Sequence, residues 1–285
     1  MSDGGALATI AELRREGRDR LSASRAAVDS REATLLLATV LGQSEARLLA
    51  RSEQPVDDRH CAAYRALIAR RASGEPVAYL LGEREFYGRT FAVDPRVLIP
   101  RPETEHLVEI ALELFAARTA TILDVGTGSG CIAITLALES SSLSLLASDR
   151  SLDALAVARA NRRRLAPGRS ILWLAADLLE GFELGGLDAV VSNPPYLSPD
   201  EAGSLATDVR DHEPHGALFA PPDGLDHLRR LVAGSRGLRT GARLIVEVGT
   251  SQAPAVAELA GNAFAVERIE RDYAGHERVV CLRRR

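Results

Sequence analysis

The sequence predicts an α/β protein in which a seven-stranded, mostly parallel sheet is covered by helices and preceded by a small helical bundle. From residue 121 onward, apolar runs of strand length alternate with helical segments. Such alternation is typical of parallel strands joined by crossover helices. Before residue 76, apolar residues recur at helical spacing without a β-branched run or a glycine-rich loop, which favours a bundle of helices.

Composition narrows the class of protein further. A chain of 285 residues with 46% hydrophobic and 26% charged residues has room for one large globular domain and a small one. Its longest apolar runs, such as 132–138, are too short to cross a bilayer. Residues 1–4 do not begin a secretory signal, so we expect a cytoplasmic protein with no membrane partner.

Charge and cysteine content exclude several kinds of chemistry. All 35 basic residues are arginine, so a lysine nucleophile or Schiff base is excluded. The net charge of -4 argues against a general polyanion binder, and we expect no stable nucleic-acid partner. Cys61, Cys131 and Cys281 are odd in number and widely spaced. This pattern is typical of free thiols in a reducing compartment and predicts no metal site.

The first hundred residues are expected to form two regions. Apolar positions at helical spacing in 7–13, 33–41 and 64–68 predict a helical domain over 1–75, serving as a structural cap or as a platform for a partner. From 76 to 100, short apolar segments at 79–82, 85–88 and 90–93 are separated by glycines. They predict strands of a β-hairpin connector.

The remaining segment, 101–285, is expected to be the catalytic domain. It should open with a helix over 104–117, because proline and acidic residues favour a helix N-terminus. Strands are expected at 122–125, 143–148, 171–175, 187–192, 243–248, 266–271 and 278–282. Helices are expected at 132–139, 152–165, 225–238 and 253–260. No helix separates the last two strands, which should therefore pair antiparallel at one sheet edge.

A glycine-rich loop follows the first strand of the sheet. Its residues are Gly126, Thr127, Gly128, Ser129 and Gly130. Glycines allow a tight turn and close approach of a ligand to the helix N-terminus that follows. Asp149 ends the second strand, where a carboxylate can hold a ribose diol. Taken alone, the loop also fits a nicotinamide or flavin site or a purely structural turn, although a dinucleotide motif spaces its third glycine differently.

Two further acidic residues are candidates for the same ligand. Asp124 precedes the loop, and a carboxylate there suits a ligand that carries an amino group. Asp177 follows the third strand, where it could bind an adenine amino group or cap a helix.

The fourth strand ends in a polar, proline-rich and aromatic tetrapeptide, Asn193-Pro194-Pro195-Tyr196. One interpretation is a simple strand terminator. A second is a catalytic site, because Pro195 restricts Pro194 and fixes the direction of its carbonyl. That carbonyl and the Asn193 side-chain oxygen suit the two N–H bonds of a planar amide or exocyclic amine, and Tyr196 offers a face for stacking.

With both motifs in place, the chain resembles the class I methyltransferases, which have a Rossmann-like sheet, and within them the HemK/PrmC family. The resemblance covers nearly the whole chain. Besides the glycine loop and the tetrapeptide, it rests on 76–82, 85–87, 98–105, 209–218, 272–273 and 277–278. The tetrapeptide alone is shared with adenine-N6 DNA methyltransferases, but its combination with 99–105 is highly specific.

The resemblance implies a cofactor, a substrate and site residues. The cofactor would be S-adenosyl-L-methionine, leaving S-adenosyl-L-homocysteine, and the substrate the glutamine N5 of the Gly-Gly-Gln motif in class 1 peptide-chain release factors. Cofactor contacts would come from 126–130, Asp124, Asp149, Asp177 and Asn193, with Leu178 flanking the adenine where some relatives carry an aromatic residue. Residues 193–196 would hold the glutamine, and the protein is expected to be a monomer.

Two alternatives remain open at this point. A DNA adenine methyltransferase would usually need a basic cleft and a recognition insertion, whereas 196–225 carries six acidic residues. They are Asp200, Glu201, Asp208, Asp211, Glu213 and Asp223. A non-catalytic docking protein would have no need for an intact glycine loop, Asp149 and tetrapeptide.

Overall fold

The computed structural model describes residues 7–24, 29, 31–115 and 117–285. These residues form two compact units, one within 1–82 together with Ser204–His212 and the other within 83–203 together with 213–285. Residues 1–4, on which the expectation about a secretory signal rests, lie outside the described part of the chain.

The elements are as follows in chain order. The helices are α1 (Ile10–Ser22), α2 (Glu32–Leu41), α3 (Glu45–Ala50), α4 (Asp58–Ala72), α5 (Val77–Leu81), α6 (Thr104–Phe115), α7 (Cys131–Glu139), α8 (Leu152–Leu165), α9 (Thr207–His212), α10 (His215–Leu218), α11 (Asp226–Gly234) and α12 (Ala253–Ala260). The strands are β1 (Glu83–Phe86), β2 (Arg89–Ala92), β3 (Ala120–Val125), β4 (Leu143–Asp149), β5 (Ile171–Ala175), β6 (Ala189–Ser192), β7 (Arg243–Glu247), β8 (Phe264–Arg271) and β9 (Glu277–Arg284).

The first unit is the expected helical bundle, with α1, α2 and α4 packed around buried Leu13, Leu36 and Tyr64. Helix α1 begins with a capping box, in which Thr9 and Glu12 satisfy each other's backbone N–H groups. The segment 204–212, expected from sequence within the C-terminal domain, belongs to this unit. Periodicity along the chain does not reveal such long-range packing.

One expected strand in the connector is a helix. Residues 79–82 were predicted as a strand, but α5 occupies Val77–Leu81 and ends at Gly82, whose φ of +74° favours glycine. The strand prediction was wrong because a four-residue apolar run does not distinguish a strand from a buried helical turn. The rest of the hairpin is present, with β1 and β2 antiparallel around Tyr87 and Gly88.

The second unit contains the predicted seven-stranded sheet, in the order β5-β4-β3-β6-β7-β9-β8. The first five are parallel, and β9 pairs antiparallel with both β7 and β8. The predicted edge hairpin is thus confirmed. The order reverses between β3 and β6, and open α/β sheets bind ligands beyond the carboxyl ends of the strands at such a point.

Both faces of the sheet are covered. Helices α6 and α7 contribute to one core, around Phe115, Ile122 and Leu136, and α11 and α12 to the other, around Leu123, Leu231 and Val256. Within the described residues, no helix has the length and apolarity needed to cross a bilayer. The three cysteines are buried and unbridged, and the same part of the chain holds no group of three or more side chains suited to a metal ion.

Candidate active site

The loop after β3 folds tightly over the end of β4. The N–H groups of Gly126 and Thr127 both donate to the Ser148 carbonyl at 2.9 Å, and Gly130 N–H donates to the Thr127 carbonyl at 2.8 Å. Gly126 has a φ of +72° and has no atom within 4 Å of where a Cβ would stand. Its open side borders a cavity, so the loop leaves its backbone accessible to a ligand.

Asp124 lies beneath this loop, fully buried, and is absent from the lining of the cavities described below. Its Oδ2 accepts hydrogen bonds from Thr127 Oγ1 at 2.6 Å and from Ala133 N–H at 3.2 Å. Burial raises the pKa of the carboxyl to about 7. Its Oδ1 has no hydrogen-bond partner among the described residues. Asp124 therefore joins the loop to the start of α7, and a direct ligand contact through Oδ1 stays a prediction.

Asp149 stands at the end of β4 with both carboxylate oxygens fixed by backbone donors. Gly128 N–H donates to Oδ2 and Ser151 N–H to Oδ1, each at 2.9 Å. The side chain borders the cavity, and burial raises the pKa of its carboxyl. Each oxygen keeps a lone pair for a further donor, so the carboxylate suits a pair of hydroxyl groups such as a ribose diol.

Asp177, Leu178 and His227 line the far part of the same cavity. Asp177 Oδ2 accepts a hydrogen bond from Arg230 at 2.6 Å. Asp177 Oδ1 and His227 Nδ1 are buried and have no hydrogen-bond partner in the part of the chain that the structure describes. Burial lowers the pKa of His227. No helix begins after Asp177, so the interpretation as a helix cap was wrong. Unsatisfied polar atoms beside an apolar side chain suit a purine ring with an exocyclic amine.

The tetrapeptide after β6 divides between the cavity and the protein interior. Asn193 and Pro195 line the cavity, and Asn193 Nδ2 donates to Thr104 Oγ1 at 3.0 Å. Pro194 is buried. Tyr196 is half-buried against Gly249, where a Cβ would come within 3.1 Å of Tyr196 Cδ2. Neither Pro194 nor Tyr196 lines the two cavities described here.

These residues converge on one cavity of about 930 Å³, counting the space open to solvent at its mouth. Its lining unites Gly126, Gly128, Asp149, Asp177, Leu178 and Asn193. A smaller cavity of about 350 Å³ is bordered by Thr104, Thr127, Ser129 and Asn193. Asn193 belongs to both. The volume, the Asp149 carboxylate held by backbone donors and the unsatisfied oxygen of Asp177 fit an adenosine-bearing ligand.

Sequence reasoning missed one residue that supports the tetrapeptide. Gln252 Nε2 donates to the carbonyls of Tyr196 at 2.9 Å and Gly224 at 3.2 Å, and Gln252 Oε1 accepts from Gly249 N–H at 2.9 Å. Gly224 has no room for a side chain, because a Cβ there would meet the Tyr196 carbonyl oxygen at 2.5 Å. No local pattern marks Gln252, which lies 56 residues from Tyr196.

Comparisons with known proteins agree with this architecture. Residues 12–82 match a family model described as the PrmC N-terminal domain, and residues 104–209 match the methyltransferase small domain. Among solved structures, a methyltransferase from Pyrococcus furiosus superposes with a TM-score of 0.52 at 15% identity, covering 75% of this chain and 96% of that one. The ribosomal protein L11 methylase of Lactobacillus delbrueckii subsp. bulgaricus superposes at 0.50 with 21% identity, covering 68% and 84%.

The sheet order, the glycine loop and the carboxylate after β4, together with the match to the methyltransferase small domain, define a class I S-adenosylmethionine-dependent methyltransferase. The release factor glutamine methyltransferase of Nitratidesulfovibrio vulgaris is 40% identical to this chain, covering 97% of it and 96% of that protein. That of Bordetella pertussis is 46% identical over 87% and 92%. The chain belongs to the release factor glutamine methyltransferase family, and its cofactor is S-adenosyl-L-methionine.

Proposed function

We propose that this enzyme methylates the side-chain amide nitrogen, N5, of the glutamine in the Gly-Gly-Gln motif of class 1 release factors and thereby modulates translation termination. The products are N5-methylglutamine, S-adenosyl-L-homocysteine and a proton, which the amide nitrogen loses when it gains the methyl group. The observation that carries the proposal is the position of Asn193, whose side chain borders both the large cavity and the smaller one beside it. The names of its relatives supply the identity of the substrate.

The cofactor is assigned to the large cavity. Asp149 holds the ribose hydroxyls, Asp177 and Leu178 contact the adenine, and the loop Gly126, Thr127, Gly128, Ser129 and Gly130 lies against the amino-acid portion. Asp124 supports this end from below, since its one unsatisfied oxygen is suited to an ammonium group. Asn193 completes the pocket at the methyl-donor end.

The tetrapeptide is assigned to the glutamine. A planar amide nitrogen is a poor nucleophile because its lone pair is delocalised into the carbonyl. The Asn193 side-chain oxygen and the Pro194 carbonyl accept hydrogen bonds from the two N–H bonds of the substrate and stabilise positive charge that builds on its nitrogen. Pro195 restricts Pro194. The roles of Pro194 and of the Tyr196 ring rest on the motif, because neither residue lines the two cavities. S-adenosyl-L-methionine supplies an electrophilic methyl group when bound.

The remaining assignments concern domains and surroundings. Residues 1–75 are assigned to substrate recognition, 76–100 to a connector and 101–285 to catalysis. The enzyme is proposed to act as a monomer in the cytoplasm, without a stable nucleic-acid partner. The net charge of -4 and the acidic residues between 196 and 225 support a protein substrate in preference to DNA.

The test offers purified enzyme and labelled S-adenosyl-L-methionine to a class 1 release factor and, in parallel, to a DNA duplex. Label should enter the release factor and not the DNA. A release factor with glutamic acid in place of the motif glutamine is the matched control and should stay unlabelled. Label only in DNA, or equal label in the control, contradicts the proposal.

A further inference from the structure

We propose that Thr104 and Glu247 are positioning residues that fix the orientation of the Asn193 side-chain amide. The inference rests on the proposed function, because it takes the Asn193 oxygen as an acceptor for the substrate amide. Neither residue is assigned to the cofactor or to the glutamine above.

The three side chains form a directed chain of hydrogen bonds. Asn193 Nδ2 donates to Thr104 Oγ1 at 3.0 Å, and Thr104 Oγ1 donates to Glu247 Oε2 at 2.6 Å. Thr104 is 2% exposed and Glu247 is 1% exposed, so water does not compete for either contact. The residues come from three separate elements, the start of α6, the end of β7 and the segment after β6.

The Glu247 carboxylate determines which atoms donate and which accept in both hydrogen bonds. An ionised carboxylate only accepts hydrogen bonds, and a hydroxyl has a single proton to donate. Once the Thr104 proton is committed to Glu247, Thr104 can only accept from Asn193. The Asn193 amide must therefore turn its Nδ2 toward Thr104, which leaves Oδ1 for a ligand in the adjoining cavities.

If these hydrogen bonds were lost, nothing would fix which of the two Asn193 amide atoms, Oδ1 or Nδ2, faces the substrate. Without Glu247, the Thr104 hydroxyl is free to donate to Asn193 Oδ1, and the amide can present its Nδ2 to the substrate. Two N–H groups would then face each other in a largely desolvated site. A lost hydrogen bond of this kind corresponds to roughly 10- to 100-fold in rate.

Glu247 is buried among groups of both signs, which makes a purely structural ion pair a poor explanation for it. The charge of Glu103 raises the pKa of the Glu247 carboxyl, and the charges of Arg278 and Arg101 lower it. Glu247 in turn raises the pKa of the Tyr196 hydroxyl. Among the described residues, the Thr104 hydroxyl donates its hydrogen bond to Glu247. Burying a carboxyl costs free energy unless it is paired. A role in positioning Asn193 explains why a carboxyl lies at this buried position.

The experiment compares Thr104→Val with Thr104→Ser, and Glu247→Met with Glu247→Gln. For each variant, kcat and KM for the release factor are measured at a pH above the Glu247 pKa, and affinity for S-adenosyl-L-methionine is measured by calorimetry. Thr104→Val and Glu247→Met should lower kcat roughly 10- to 100-fold with cofactor affinity little changed. Thr104→Ser should retain most of the rate, and Glu247→Gln, which keeps an acceptor, should lose less than Glu247→Met.

Thr135→Val is the matched control, because Thr135 on α7 is equally buried and its hydroxyl has no hydrogen-bond partner among the described residues. It should keep the wild-type rate. In an Asn193→Ala background, Thr104→Val should cause no further loss. A wild-type rate in Thr104→Val, or equal losses in Thr104→Val and Thr135→Val, overturns the inference. If Thr104→Val does not fold, the Glu247 pair decides the question.

Failure of the proposed function is visible separately. The wild-type enzyme would then leave the release factor unlabelled, whatever the variants do.

Discussion

At the scale of single residues, Asn193 is the residue whose side chain is proposed to act on the substrate nitrogen. Replacing it with alanine removes an acceptor that acts on charge building at the substrate nitrogen. We expect Asn193→Ala to lower kcat by about 100-fold or more while calorimetry finds cofactor affinity largely intact, because Asp149 and the glycine loop remain. Asn262→Ala, at an exposed position, is the control. An equal fall in rate and cofactor affinity would mean that Asn193 mainly shapes the cofactor pocket.

Compact motifs mark candidate residues that lie close together in the sequence, whereas residues that meet only in the fold carry no such mark. The glycine loop, Asp149 and the tetrapeptide are each marked by local spacing. Thr104 was marked only as the start of an expected helix and as part of a family segment, and Glu247 only as part of an expected strand. These residues meet because the start of α6 lies beside the end of β7, although Thr104 and Glu247 are 143 residues apart in sequence. A single sequence contains no spacing rule for such a contact.

At the scale of elements, periodicity predicted the strands of the second unit and its longer helices to within a few residues, but not the short helix α10. Buried parallel strands read as continuous apolar runs, and amphipathic helices keep their spacing. The wrong prediction of a strand at 79–82 arose because four residues are too few to distinguish the periodicity of a strand from that of a helix. The turn of the β1–β2 hairpin lies at Tyr87 and Gly88, which both have a positive φ. Such a turn suits a two-residue hairpin loop.

The junction between the glycine loop and α7 yields a prediction about stability. Gly130 has a φ of +82°, and a Cβ there would lie 2.9 Å from Ile134 Cδ1 and 3.1 Å from Ala158 Cβ. Gly130→Ala should therefore lower the free energy of unfolding by about 1–3 kcal/mol, measured by urea denaturation. Gly168→Ala is the control, because its φ is not positive and no atom lies within 4 Å of its Cβ position. Equal stability of the two variants would contradict the packing described.

At the scale of the whole molecule, buried carboxyls make stability depend on pH. Burial raises the pKa of Asp124 and of Glu247 to about 7, from ordinary values of 3.8 and 4.5. Between those values and pH 7 the folded protein binds more protons than the unfolded chain. These two groups therefore lower the free energy of unfolding as pH rises through that window, and their effect levels off above it.

Glu247→Gln isolates one of these contributions, since glutamine does not titrate. The free energy of unfolding, measured by urea denaturation at a series of pH values, should fall less steeply in the variant. The difference across the window should approach roughly 3 kcal/mol. Identical slopes for the variant and the wild type would mean that Glu247 titrates at its ordinary value in the folded protein.

Fragmentation mass spectrometry of the Gly-Gly-Gln peptide shows which atom of the release factor is methylated. The peptide is analysed after incubation of release factor, enzyme and S-adenosyl-L-methionine. The proposed function predicts one added methyl group on the glutamine side chain, formed about 100-fold more slowly when the Asn193→Ala enzyme is used at the same concentration. A methyl group on another residue, or an unmodified peptide with the wild-type enzyme, would contradict it.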